Sequence, residues 1–416
     1  MPEAKSNGSS NGKLNLESEE QAPLDGSPAP AETAGAPALR PPGLSEALQP
    51  LLEDYAPTPY PRDRRAPRAA PVYGALDLGT NNCRLIVVRP GLRGFTIIDT
   101  FSRIVRLGEG VSTTGAMSKV AMTRAIEALK VCADKMQRAG VNRSRLIATE
   151  ACRSSANADE FLARVHAETG LRLEVISREV EARLAVAGCA SLIDRDSDWG
   201  LVFDIGGGSS ELIWLDLARA AKPAADTPAA RLRLLASIVD WTSLPFGVVT
   251  LAERFGGRDV DETVYERMVD SLRETLTAFD ARSNMSSRIA GKTVSLLGTS
   301  GTVTTIAGVH LGLPFYNRNK VDGVWLDAAD VRAVTRALLR MGYEGRVLQP
   351  CIGPERADLV LAGCAILEAM LRLWPCERLR VADRGLREGI LTTLMAEDGV
   401  GAVDARALGA SRRFQS

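Results

Sequence analysis

The sequence predicts an α/β protein of two domains that hold a polyanion between them. Three glycine-rich turns support this prediction, and each follows a run of apolar residues that is typical of a β-strand. The turns lie within residues 73–88, 201–215 and 296–308. Glycine allows the backbone to bring its N–H groups close to an anion, so three such turns in one chain indicate phosphate binding.

The first domain is predicted to span residues 71–195 and begins with the sequence YGALDLGTNNCRLIVV. This pattern predicts two strands joined by a polar turn, in which Gly79, Thr80 and Asn81 would bind phosphate. Asp77 precedes the turn, and its carboxylate is a hard oxygen ligand of the kind that Mg²⁺ prefers.

Further elements of this domain follow from the spacing of apolar residues. The segment after Ser118, a plausible N-cap, repeats apolar residues at intervals of three and four and ends at Gly140. A strand over residues 145–149 would deliver Arg153 to a loop at the edge where open α/β sheets bind ligands. We also predict strands over residues 94–99 and 171–176, a helix over 159–169, and a helix from residue 177 that carries Glu181.

The second domain is predicted to span residues 196–400 and repeats the order of the first. Its opening segment, LVFDIGGGSSELIWL, places three consecutive glycines between two apolar runs. The alternative is a hairpin whose glycines only satisfy a turn. The predicted phosphate ligands here are Gly206, Gly207, Gly208 and Ser209, and the predicted metal ligands are Asp204 and Glu211.

A third glycine turn, in LLGTSGTVTTIAG, follows the apolar run of residues 294–297. Its predicted phosphate ligands are Gly298, Thr299, Ser300 and Gly301. Around it we predict strands over residues 231–238 and 379–382 and helices from residues 250 and 260 and over 326–341, 355–374 and 386–395.

Composition limits the chemistry. The 416 residues include 51 basic and 51 acidic side chains, so no overall charge recruits nucleic acid or a membrane. With only two histidines, zinc sites and histidine-based triads are practically excluded, and carboxylates must do the chemistry. Seven scattered cysteines without a C-x-x-C pair indicate a reducing compartment, and we expect a cytoplasmic protein.

Both termini are predicted to lie outside the fold. Residues 1–70, which precede the first strand, are rich in proline and lack sustained apolar periodicity. This combination predicts a disordered tail. Residues 401–416 are predicted to form a C-terminal tail. No run approaches the roughly 18 apolar residues of a membrane span, so no membrane partner is expected.

Five segments, DLGTNN, ATEACRSSAN, ISREVEARLAVAG, FDIGGGSSE and GTSGTVTTIAG, occur in this order. In this respect the chain resembles the exopolyphosphatase and guanosine pentaphosphate phosphohydrolase family, in a short form without the C-terminal helical domains. The resemblance covers residues 73–394. It implies two actin-like (ribonuclease H-like) domains of the acetate and sugar kinase, heat-shock protein and actin superfamily, with the active site in the interdomain cleft.

The resemblance also implies an activity. Such a protein would use Mg²⁺ (or Mn²⁺) and water to release the terminal phosphate of inorganic polyphosphate, guanosine pentaphosphate or both, and it could form a homodimer. Glu181 matches the family's catalytic general base, and Arg153 matches an arginine that binds phosphate oxygens. The chain departs from the family at Val180, where a first glutamate is usual.

Two other functions stay open from the sequence. A small-molecule kinase of the same superfamily would need an ATP donor and an acceptor alcohol. A nucleotide or alarmone sensor would bind without hydrolysis, and Val180 favours it slightly, whereas the intact Glu181, Asp204 and Glu211 count against it.

Overall fold

Two β-sheets organise the protein in a computed structural model that describes residues 71–91, 94–220 and 225–400. The predicted tails, residues 1–70 and 401–416, lie outside the described residues. The strands of the first sheet are β1 (Tyr73–Leu78), β2 (Asn82–Gly91), β3 (Gly94–Ile104), β4 (Arg143–Ala148) and β5 (Glu174–Val175). The strands of the second are β6 (Trp199–Ile205), β7 (Ser210–Asp216), β8 (Ile238–Leu244), β9 (Val294–Thr299), β10 (Trp325–Asp327) and β11 (Arg378–Ala382).

Helices surround both sheets. Those of the first half are α1 (Val111–Thr114), α2 (Lys119–Arg138), α3 (Glu150–Arg153), α4 (Ala158–Thr169) and α5 (Arg178–Cys189). Those of the second half are α6 (Pro228–Arg233), α7 (Val248–Phe255), α8 (Glu262–Ser283), α9 (Met285–Arg288), α10 (Gly301–His310), α11 (Arg318–Val321), α12 (Ala328–Arg340), α13 (Gly342–Leu348), α14 (Val360–Leu373) and α15 (Leu386–Glu397). Among the described residues, no helix has the length and apolar character needed to cross a membrane.

The two sheets share a five-strand order, to which the second sheet adds the edge strand β10. The first has the strand order β3-β2-β1-β4-β5 and the second the order β10-β11-β9-β6-β7-β8. In each, a hairpin pairs antiparallel (β1 with β2, β6 with β7) and its first strand pairs parallel with a later strand (β4 or β9). The predicted repetition of the two halves is therefore confirmed at the level of topology.

Helices α5 and α15 pack against each other in a core that includes buried residues of both sheets, such as Ala75 and Val202. Their backbones touch at glycines. A Cβ atom added to Gly188 would lie 1.9 Å from the carbonyl oxygen of Gly385, and one added to Gly389 would lie 2.0 Å from that of Leu184. Helix α15, from the predicted second domain, also packs on β1 of the first. The boundary between residues 195 and 196 stays a prediction.

Local sequence explains most of the elements and also the errors in predicting them. Ser118 caps α2 as expected, accepting a hydrogen bond from the N–H of Ala121. The strand predicted over residues 231–238 is wrong, because Thr227 caps a helix that begins with Pro228, and β8 starts only at Ile238. The strand predicted over residues 171–176 is reduced to two residues, and the loop predicted at residues 150–153 is the helical turn α3.

Candidate active site

The three predicted glycine turns meet around one cavity of about 650 Å³. The β1–β2 turn approaches from the first sheet, the β6–β7 turn from the second, and the turn between β9 and α10 closes a third side. The predicted residues that line the cavity are Asp77, Gly79, Thr80, Asn81, Glu181, Asp204, Gly206, Gly207, Gly208, Ser209, Thr299, Ser300 and Gly301.

The first two turns pack directly on each other, and glycine allows this close contact. A Cβ atom added to Gly207 would lie 3.0 Å from Cβ of Thr80, and one added to Gly208 would lie 2.7 Å from Oγ1 of Thr80. Each turn is closed by its own backbone: the N–H of Gly79 donates to Asn82 O and that of Gly206 donates to Ser209 O, both at 2.9 Å. These two N–H groups are therefore used within the turns.

The third turn places a helix N-terminus at the cavity. Ser300 has a positive φ of 100°, which is unusual for a non-glycine residue, and its Oγ accepts a hydrogen bond from the N–H of Thr302. Gly301 begins α10, and a helix N-terminus favours anions. Gly298, by contrast, does not line the cavity. A Cβ atom there would lie 2.5 Å from the ring of Phe203, so the glycine makes room for that ring.

Glu181 is a cavity carboxylate whose proton affinity is raised by its surroundings. It is buried near the start of α5, whose N-cap Ser177 accepts a hydrogen bond from Val180 N. Burial, followed by the negative charge of Glu211, raises the pKa of Glu181 to about 8. A carboxylate with this affinity can accept a proton near neutral pH.

Asp77 and Asp204 face the same cavity from the ends of equivalent strands, β1 and β6. Burial, followed by the negative charge of Glu181, raises the pKa of Asp204 to about 7. Burial also raises the pKa of Asp77. Several anionic groups are thus held together at a cost that a bound cation or proton would relieve.

Glu211 lies behind the cavity wall. Its Oε1 accepts hydrogen bonds from the hydroxyls of Ser209 and Ser243, both at 2.8 Å, and it does not line the cavity. Burial, followed by the charge of Asp204, raises the pKa of Glu211 to about 7. The geometry therefore places Glu211 as a group that orients Ser209.

Arg153 is engaged with protein groups through all three of its guanidinium nitrogens. Nη2 lies 2.6 Å from Glu181 Oε2, Nη1 donates to the carbonyl of Ile176 at 2.8 Å, and Nε donates to Glu150 Oε2 at 3.0 Å. It does not line the cavity. The predicted contact of Arg153 with phosphate would require it to leave these partners, and the structure places it instead as the partner of Glu181.

Sequence reasoning missed three half-buried arginines, Arg84, Arg356 and Arg387, which line the cavity. Within the described ranges, none of them forms an ion pair, in contrast to Arg318 and Arg384, which are paired with Glu388 and Asp322. Of these three, only Arg84 could have been found from the sequence, because the pairing of the two predicted hairpin strands places it opposite Asp77. Unpaired guanidinium groups beside the predicted phosphate-binding turns are suited to a polyanion.

The paired sheets and the cavity that they enclose define a protein of two actin-like domains. The chain belongs to the Ppx/GppA phosphatase family, whose model matches residues 86–398.

Solved structures agree with this assignment. The Aquifex aeolicus family member is 28% identical, with a TM-score of 0.63, over 79% of this chain and 99% of that chain. An exopolyphosphatase-like protein is also 28% identical, with a TM-score of 0.66, over 77% of this chain and 97% of the other. An exopolyphosphatase from Cytophaga hutchinsonii, 24% identical over 79% of this chain and 98% of its own, shares the fold with a TM-score of 0.68.

Proposed function

We propose that the protein is a metal-dependent phosphohydrolase that releases the terminal phosphate of inorganic polyphosphate, guanosine pentaphosphate or both. The observation that carries the proposal is the position of Glu181, a buried carboxylate with a pKa raised to about 8 that lines the cavity formed by the glycine turns. Family membership and the similarity to exopolyphosphatase-like proteins support a polyphosphate-type substrate.

Hydrolysis of a phosphoanhydride needs a positioned water, an acceptor for its proton and groups that stabilise charge on the transferring phosphoryl. Glu181 would accept the proton in its ionised form. Arg84, Arg356 and Arg387 would hold the phosphate oxygens, together with the N-terminus of α10. The proposed base therefore lies on α5, whereas the proposed phosphate-binding arginines lie on β2, before α14 and on α15.

The residues at the cavity fit Mg²⁺ (or Mn²⁺). Among the described residues, no three acidic, histidine or cysteine side chains converge on one point as in a closed metal site. Mg²⁺ does not need such a site, because it is usually held by one or two carboxylates, waters and substrate phosphates. Asp77 and Asp204 would supply the carboxylates, and Glu211 would act through Ser209. The buried amide oxygen of Asn81, which has no partner in the described ranges, suits a cation or a water better than a phosphate oxygen. The ion would neutralise charge on the phosphate.

Phosphate release by the purified protein tests the proposal. With Mg²⁺ and no acceptor alcohol, short polyphosphate and guanosine pentaphosphate should each be assayed at several concentrations to obtain kcat/KM. Release from at least one substrate supports a hydrolase. Turnover that appears only with ATP and an acceptor would indicate a kinase, and tight binding without release would indicate a sensor. A cytoplasmic location and a homodimer are further proposals that rest on the family resemblance.

A further inference from the structure

Glu150, in the helical turn α3, lies between two arginines beside the proposed base. Its Oε1 accepts from Arg178 Nη2 at 2.7 Å and from the hydroxyl of Ser154 at 2.6 Å. Its Oε2 lies 2.9 Å from Arg153 Nη2. Burial alone would raise the pKa of Glu150, but the hydrogen bonds from Arg178 and Ser154 and the charge of Arg153 hold it below its ordinary value. Glu150 is therefore ionised at neutral pH.

Arg153 is shared between two carboxylates. Nη2 contacts Glu181 and Glu150 at once, at 2.6 and 2.9 Å. The carbonyl of Ile176 holds Nη1 on the other side of the guanidinium, so the group stays in place if one carboxylate is removed. Glu150 therefore competes with Glu181 for the positive charge of Arg153.

Arg153 is the only cation among the charged groups that act most strongly on Glu181 within the described residues. From β1, β6 and β7 the facing groups are Asp77, Asp204 and Glu211, all acidic. Any change in the interaction between Arg153 and Glu181 should therefore change the proton affinity of Glu181.

The side chain of Glu150 is also fixed by the second domain. A Cβ atom added to Gly208 would lie 3.0 Å from Cγ of Glu150, so the aliphatic part of this side chain packs on the glycine turn. Glu150 lines the cavity, yet its carboxylate oxygens are directed to Arg153, Arg178 and Ser154.

We propose that Glu150 is a positioning residue for Glu181. By taking hydrogen bonds from Arg153, it limits how strongly that arginine stabilises the ionised form of Glu181 and keeps Glu181 basic enough to take a proton from water. This inference rests on the function proposed above. In this inference Arg153 and Glu150 together set the proton affinity of Glu181, the proposed base.

The variant Glu150→Gln tests the inference through the pH dependence of phosphate release. The amide keeps the shape but not the charge, so Arg153 then serves Glu181 alone. We expect the acid limb of kcat/KM to move about one unit to lower pH, the lower end of the range for an opposite charge. Glu150→Asp, which keeps the charge, should retain the parent limb. Glu179→Gln is the matched control, since Glu179 is half-buried, pairs with Arg183 on the next turn of α5 and does not line the cavity.

A second measurement does not depend on activity. The carboxyl ¹³C resonance of Glu181 in metal-free protein, identified by its loss in Glu181→Gln, reports its titration directly. We expect a lower midpoint in Glu150→Gln and a higher one in Arg178→Gln, where Glu150 is left to Arg153 alone. Midpoints within about 0.3 unit of the parent in both variants would overturn the inference. If Glu150→Gln does not fold, Arg178→Gln decides alone. Absence of phosphate release by the parent would refute the proposed function but leave this titration test intact.

Discussion

Replacing Glu181 by glutamine should lower the rate of phosphate release and leave the protein folded. The amide cannot accept a proton, so kcat should fall by on the order of 10²–10⁴, which corresponds to about 3–5 kcal/mol in the activation free energy. The fold should persist, because the glutamine can still accept the hydrogen bond that Arg153 donates at 2.6 Å, and Glu150 continues to neutralise Arg153.

The same substitution should raise stability at alkaline pH. The folded state raises the pKa of Glu181 from its ordinary 4.5 to about 8, so the native protein binds more protons than the unfolded chain in this window. Stability of the metal-free parent therefore falls as pH rises from about 4.5 to about 8. Glu181→Gln removes this loss. We expect it to be more stable than the parent at pH 8, by on the order of 1–3 kcal/mol, and similar to it at pH 5.

Two assays check these expectations. Single-turnover phosphate release at saturating substrate gives the chemical step, and urea unfolding at pH 5 and pH 8 gives the free energy of unfolding. Glu179→Gln serves as the control, because this half-buried glutamate lies in the same turn, pairs with Arg183 and does not line the cavity. Unchanged turnover would remove Glu181 from the mechanism. A variant less stable than the parent at pH 8 would contradict the reasoning from burial.

Three further predictions concern the surrounding groups. Gly389→Ala should lower stability by roughly 1–3 kcal/mol, because the added methyl meets the carbonyl of Leu184 at 2.0 Å; an unchanged denaturation midpoint would show that α5 and α15 can separate freely. Asp204→Asn should shift the Mg²⁺ concentration needed for half-maximal activity upwards, and a titration curve that overlays the parent's would argue against its role as a ligand. Arg84→Gln or Arg387→Gln should raise KM at least tenfold and weaken the salt dependence of binding, whereas an unaltered KM would place the phosphates elsewhere in the cavity.

Sequence reasoning was most successful where chemistry and backbone geometry are local. The turns at Gly79, Gly207 and Gly301 each combine glycine, a polar residue and a preceding apolar strand. All three line one cavity. Their convergence followed from the repeated order of elements, which the shared topology of the two sheets confirms.

It failed where the outcome depends on distant partners. Gly298 belongs to the third turn in sequence, but its Cα faces the ring of Phe203, a neighbour on β6. Arg153 and Arg387 are both arginines that follow a strand, and only the fold shows that the first is taken up by carboxylates and the second is not. Similarly, the apolar run of residues 231–238 predicted a strand, but its first residues belong to a helix that starts at Pro228.

The contact between α5 and α15 limits which sequences can adopt this arrangement. Where two helices meet backbone to backbone, no side chain is present to be exchanged for another of similar shape, and every alternative residue is larger. Gly188 and Gly389 should thus be among the least substitutable positions of the chain, although neither lines the cavity. At these two glycines a substitution would be harmful because it disrupts helix packing. At Glu181 it would be harmful because it removes the proposed base. Intolerance alone does not distinguish a catalytic residue from a packing residue in this fold.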